Sequence, residues 1–321
     1  MGFVSARTGL SFCALMVAVS AFGAEDNLFG LPAPRDAHRP GSLMLHGGGQ
    51  VTNDAFNKFV ALAGGPNARI VFVPCAGFRR AWYGSDTAFL SVVGQRYGSW
   101  VNLVPAGEAR SFQFVFTDDP DDADDADFCK PLETATGVWF SGGLQERLNY
   151  RFVGAYPQQT RFQQLLKQVV AKGGVVGGTS AGMAALPEIM TMWQDRDYSD
   201  GPVSAVPAHG FGLLTKAVVE QHFDARGGRL ERFMGLLRDS QRLDKLAGRA
   251  GAGAPMVGLA VEERVGLVVR GGGGLEIVGD GSAHIFLKSI GGRTTLWHEL
   301  AAGEKYRLTR AANGTPSLLA E

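Results

Sequence analysis

The apolar positions after residue 42 fall in short runs that each end in glycine or proline. Leu43-Met44-Leu45 precedes Gly47-Gly48-Gly49, Ile70-Val71-Phe72-Val73 precedes Pro74, and Gly137-Val138-Trp139-Phe140 precedes Gly142-Gly143. Val175-Val176 leads to a turn at Ser180, and Val101-Asn102-Leu103-Val104 follows a helix-like stretch. Continuous apolar runs of this length suit strands buried on both faces, and the segments between them are long enough for helices. The pattern predicts an α/β fold, a mostly parallel sheet with helices on both faces. Ligands of such sheets bind beyond the carboxyl ends of the strands. The Gly47–Gly49 turn, the Gly142-Gly143 turn and Ser180 are therefore expected to face one crevice. After residue 256 the texture changes. Apolar runs at 265–269, 275–278, 285–287 and 306–308 alternate with glycine-rich turns. They predict a β-rich C-terminal extension, mostly antiparallel, of the same domain.

The first residues have a different logic. Arg7 is followed by an apolar run over 10–19 and by Ser20-Ala21-Phe22-Gly23-Ala24. A charged start, an apolar run too short to span a bilayer comfortably and small residues at its end make a secretory signal. Residues 1–24 are read as that signal, 25–41 as a proline-containing polar leader, and 42–321 as a single domain. The expected location is secreted or periplasmic, with no membrane contact after cleavage. Lysine plus arginine and aspartate plus glutamate balance at 31 each, and no basic run invites a nucleic-acid backbone. Cys13 leaves with the signal; Cys75 and Cys129 read as free thiols beside apolar runs. No Cys/His cluster has metal-ligand spacing, so neither a metal nor a cofactor is expected. Seven aspartates between Asp118 and Asp127 read as a solvated, mobile loop.

Chemistry concentrates at Gly178-Thr179-Ser180-Ala181-Gly182. This G-x-S-x-G pentad joins a strand-like lead-in to the start of a helix. A serine on such a turn is exposed at the sheet edge, and the helix N-terminus favours negative charge beside it. The pentad alone also fits an ordinary glycine-rich turn, because the chain holds 45 glycines.

A nucleophilic serine needs a base, an orienter for the base and an oxyanion hole. His222, in Val218-Val219-Glu220-Gln221-His222-Phe223, ends a β-branched run among polar groups. His46 also ends a strand, and a packed turn histidine is the better reading there. The acidic stretch 194–201 supplies Asp195, Asp197 and Asp200 as competing orienters, and residue types do not choose among them. Beyond His222 lie Arg226, Arg229 and Arg232; the last two share a helical face and are suited to bidentate carboxylate binding.

At these residues the chain resembles the cyanophycinases, in the serine peptidase group that includes dipeptidase E. The carriers are Phe140-Ser141-Gly142-Gly143-Leu144-Gln145, the pentad, Glu220-Gln221-His222-Phe223 with the following arginines, and Gly258-Leu259-Ala260-Val261-Glu262-Glu263. The resemblance implies a flavodoxin-like fold of the class I glutamine-amidotransferase kind. It also implies a serine hydrolase acting on cyanophycin, a poly-aspartate with arginine amide-linked to each side chain, to release β-Asp-Arg dipeptides. It assigns Ser180 as nucleophile, His222 as base, and the N–H groups of Gly143 and Ala181 as oxyanion donors. Gln145, Glu220, Gln221, Arg226, Arg229 and Arg232 match the substrate pocket. The family's triad glutamate aligns with Tyr198, which points to its neighbour Asp197. Two departures stand out: Leu144 replaces the aspartate of the usual GGDQ, and the arginines carry one extra glycine between them. A peptidase of short aspartyl peptides and a non-catalytic binding protein on the same scaffold are the rival readings, and a homodimer is compatible with either.

Overall fold

The structure is a computed structural model, and it describes residues 27–101, 110–192, 206–238, 240–248, 257–288, 295–311 and 315–321. The proposed signal, residues 1–24, lies outside them. Strands β1 (Ser42–His46), β2 (Arg69–Val73), β3 (Ser111–Phe114), β4 (Gly137–Phe140) and β5 (Val175–Thr179) run parallel in the order β1-β5-β4-β2-β3. Every residue of β1 and β4 is buried, as the unbroken apolar runs require.

Alternate side chains of these strands feed two cores. Leu43, Leu45, Val73 and Phe140 pack with Phe162, Leu166 and Val170 of the helix Arg161–Ala171. Met44, Phe72 and Trp139 pack on the other side with Ala55 and Phe59 of the helix Asn53–Leu62 and with Trp100. Phe59, Trp100 and Trp139 meet with ring centroids 4.9–5.6 Å apart, within the range of favourable aromatic pairs.

Strands β6 (Ile189–Met192) and β7 (Val206–His209) form an antiparallel pair, while β8 (Ala217–Glu220) and β9 (Val257–Val261) are parallel. The C-terminal strands are β10 (Val265–Arg270), β11 (Gly274–Gly279), β12 (Ser282–Lys288), β13 (Thr295–Ala301), β14 (Lys305–Arg310) and β15 (Pro316–Ala320). β10 pairs antiparallel with β1, and β11, β14 and β15 continue outward, which completes a nine-stranded sheet. β12 and β13 instead join β9 and β8 in a second sheet, ordered β13-β12-β9-β8. The expected extension thus divides: part widens the main sheet, and part builds the support from which His222 emerges.

Two local expectations are revised and a third, the free thiols, holds. Val101 ends a short helix, Gly98–Val101, rather than opening a strand; residues 102–104 lie outside the described residues, and the edge strand is β3. The aspartate run is structured by its own side chains. Asp119 accepts from the Asp121 N–H, Asp125 caps the helix Ala126–Thr134, Asp122 accepts from the Thr117 hydroxyl, and Asp118 pairs with Arg151. Short acidic side chains are good N-caps because they satisfy orphan helix N–H groups. Cys75 and Cys129 are buried free thiols.

Candidate active site

Ser180 stands between the end of β5 and a one-turn helix, Ala181–Ala184. Its backbone has φ 54° and ψ −114°, a conformation that L-residues rarely adopt and that costs on the order of 1–3 kcal/mol. The surroundings enforce it. The Ser180 N–H donates to the His46 carbonyl at 2.9 Å, and its own carbonyl accepts the Ala184 N–H at 2.9 Å. Gly182 packs against Phe140 so closely that a Cβ there would strike the Phe140 backbone. This explains the glycine two residues after the serine: the new helix must start hard against β4.

His222 arrives from the second sheet, two residues beyond β8. Its N–H donates to the Gly47 carbonyl at 2.9 Å. Its ring lies over Gly48, where any Cβ would collide with the imidazole. His222 Nε2 is 2.6 Å from Ser180 Oγ, and His222 Nδ1 is 2.5 Å from Glu263 Oε1. A carboxylate only accepts, so the proton sits on Nδ1 and the Nε2 lone pair faces the serine hydroxyl. This is the tautomer a general base requires. Burial lowers the His222 pKa; the hydrogen bond that Nδ1 donates to Glu263 opposes that shift and the charge of Arg226 adds to it. The imidazole is therefore held neutral and ready to accept a proton.

Glu263 takes the place expected for Asp197. It follows β9, which is parallel to β8 and adjacent to it, so the two strand ends deliver His222 and Glu263 side by side. The Glu263 N–H donates to Asp224 Oδ1 at 2.9 Å, and the next N–H, of Arg264, donates to the Gly48 carbonyl at 2.9 Å. Asp195, Asp197 and Asp200 lie outside the described residues.

Ser180, His222, Gly142 and Gly143 line one cavity of about 490 Å³, together with Gly49, Arg96, Tyr97, Trp100 and Arg226. The three glycine-bearing turns thus meet in the expected crevice. Among the described residues, no backbone carbonyl accepts from the N–H of Gly143 or Ala181. Both remain available to a developing oxyanion, as backbone donors at such a site must.

The expected substrate residues divide sharply. Arg226 lines the cavity. Glu220 does not: it is fully buried, and its carboxylate takes Arg229 Nη1 at 2.6 Å and Arg232 Nε at 2.9 Å, with a further bond from Arg232 Nη2. Arg229 and Arg232 are each 2% exposed. The helical face they share points inward, because a carboxylate at the end of a buried strand needs counter-charge. Gln145 is buried and donates to the Thr191 carbonyl at 3.0 Å. Gln221 is buried as well and is not among the cavity's lining residues. His46 is buried without a hydrogen-bond partner for either ring nitrogen among the described residues, and burial pushes its pKa down to about 3. It packs near Trp139, as a neutral structural ring.

No protein-family profile matches the chain. Among characterised proteins, a cyanophycinase from Synechococcus elongatus is 27% identical over 176 residues, which is 55% of this chain and 49% of the relative. One from Geminocystis herdmanii is 24% identical over 233 residues, 72% of this chain and 74% of the relative. The chain is a distant relative of cyanophycinases. It spans about half the length of the first of these relatives. A crystal structure of a peptidase from an acI-B1 Actinobacterium superposes with a TM-score of 0.56 at 22% identity, covering 84% of this chain and 98% of the other. That likeness establishes the shared α/β fold, with its parallel strands and antiparallel C-terminal region.

Two site residues escaped the sequence reading. Glu263 stood in the quoted segment Gly258–Glu263, and a pair of acids closing an apolar run was its signal. Arg96 ends the helix Asp86–Arg96, and nothing local distinguishes it from a surface arginine.

Proposed function

We propose that the chain is a serine peptidase that hydrolyses cyanophycin to β-Asp-Arg dipeptides. The observation that carries the reading is the continuous relay Ser180 Oγ, His222 and Glu263, built on a strained serine turn. In this reading Ser180 attacks the scissile backbone carbonyl while His222 Nε2 takes its proton. Glu263 keeps the other ring proton in place and stabilises the imidazolium. The N–H groups of Gly143 and Ala181 hold the oxyanion, and His222 then protonates the leaving amine. Water attacks the acyl-serine by the same route in reverse.

The substrate assignment draws on the distant relationship to cyanophycinases and on Arg96 and Arg226 in the catalytic cavity. Each arginyl arm of the polymer ends in a carboxylate, and guanidinium groups suit that anion. Secretion follows from the N-terminal pattern, and N-terminal sequencing of the mature protein tests it: a start near residue 24 or 25 is expected. The activity is tested by incubating the protein with insoluble cyanophycin and identifying soluble products by mass spectrometry. Release of β-Asp-Arg is expected. Hydrolysis of short aspartyl peptides without attack on the polymer would move the assignment to the dipeptidase reading.

A further inference from the structure

A second cleft, of about 800 Å³, lies beside the catalytic cavity and is lined by Arg79, Asp118, Leu144, Glu146, Arg147 and Arg151. Leu144 directly follows Gly143, which lines the catalytic cavity. Consecutive residues of one turn therefore line the two spaces. The Ala76 carbonyl fastens the peptide between them, accepting from the Leu144 N–H and from Arg147 Nη1, each at 3.0 Å. Arg147, which lines the second cleft, is thereby tied to the carbonyl that holds this peptide.

The charges in this cleft are unevenly satisfied. Arg151 donates to the Cys75 and Phe78 carbonyls and pairs with Asp118. Arg147 Nε and Glu146 Oε2 are buried with no hydrogen-bond partner among the described residues. The Arg147 guanidinium lies over the Trp82 ring at 4.7 Å. Burial and the neighbouring charge of Arg79 hold its pKa below the ordinary arginine range. Buried polar atoms without partners are rare because each is costly, and charged ones more so. Here an unmatched donor and an unmatched acceptor stand on neighbouring residues of one helix, Gln145–Phe152, at the wall of an open cleft. The complementary ligand carries a cation and an anion on one short arm. An arginyl group with a free carboxylate meets that description: its guanidinium would face Glu146, and its carboxylate would face Arg147 and Arg79.

We propose that this cleft binds the arginyl arm of a polymer unit beyond the two that flank the scissile bond. The proposal rests on the cyanophycin reading and adds a second recognition point to it. It predicts a preference for longer chains, because a two-unit substrate cannot fill both spaces.

The test uses the full-length Ser180→Ala protein, so that binding is measured without turnover. Calorimetry compares arginyl-aspartate oligomers of two and six units. The six-unit oligomer is expected to bind about tenfold more tightly. The charge-swapped variant Arg79→Glu/Glu146→Lys in the same background, shown to be folded by circular dichroism, is expected to bring that ratio close to one. Arg147 is left intact because it supports the Gly143–Leu144 peptide. Equal affinity for both lengths in the unswapped protein, or a ratio that survives the swap, overturns the proposal. Hydrolysis of cyanophycin by the unaltered protein is measured separately. Absence of dipeptide release defeats the substrate assignment, whereas a swap-sensitive length preference in the same protein still supports the cleft.

Discussion

Glu263 Oε1 lies 2.5 Å from Nδ1 of His222, at the end of the strand beside the one that leads to His222. The contact fixes the ring tautomer, and its loss should act on rate more than on fold, since the Glu263 side chain is about a third exposed, at 32%. Glu263→Gln is expected to lower kcat by about 10⁴, because an amide at this position favours the wrong imidazole tautomer. Asp195→Asn, Asp197→Asn and Asp200→Asn should each remain within a few-fold of the unaltered protein. Steady-state kinetics on cyanophycin decide the matter. A Glu263→Gln enzyme within tenfold of the original would return the orienter's role to the aspartates.

What the sequence made legible follows the range of the interactions. The parallel strands were readable because burial on both faces leaves a continuous apolar run, as at Gly137–Phe140. Ser180 was readable because the strand-to-helix turn and its small neighbours are contiguous in the chain. Glu263 was hidden because its partnership with His222, 41 residues away in the chain, depends on β8 and β9 lying side by side. The arginines show the opposite failure. Their helical spacing was real, but spacing alone does not say whether a shared face looks outward or inward. The burial of Glu220 decides that, and it is a property of the second sheet.

Ser180 and His222 should behave as one unit. Ser180→Ala and His222→Ala are each expected to reduce kcat by several orders of magnitude, about 10⁴ or more, and the double variant should be no worse than either. Near-original activity of Ser180→Ala, or losses that multiply in the double variant, would separate the two residues. Gly48→Ala provides a steric counterpart. The added methyl would displace the His222 ring, so a loss of about 100-fold or more in kcat is expected with both catalytic side chains still present.

The acid limb of the pH–rate profile reports the base. His222 must be neutral to accept the serine proton, so activity falls as pH drops through its pKa. Burial, with the charge of Arg226, places that pKa below the ordinary histidine value of 6.5. The midpoint in kcat/KM for the free enzyme is therefore expected below pH 6.5. Arg226 disfavours the imidazolium, so Arg226→Ala should move the midpoint upward. The same substitution should raise KM, through the loss of a guanidinium from the catalytic cavity. A midpoint that stays fixed or moves downward in Arg226→Ala would show that the arginine does not act on the base.

A structural role for Glu220 and a recognition role lead to different phenotypes. Glu220 is fully buried, and its two oxygens neutralise Arg229 and Arg232, each 2% exposed. Removing one member of a buried ion cluster leaves the other charges uncompensated, and typically destabilises by about 3–5 kcal/mol. Glu220→Gln should therefore lower the melting temperature by several degrees or more. Its activity, assayed at a temperature where the variant is still folded, should keep a KM close to the original. Replacing the whole cluster, as Glu220→Leu with Arg229→Met and Arg232→Leu, should be far less damaging than the single change, because no stranded charge remains. If Glu220→Gln melts like the unaltered protein and raises KM for arginine-bearing substrates, the carboxylate faces substrate after all. The buried cluster would then belong to the binding site rather than to its foundation.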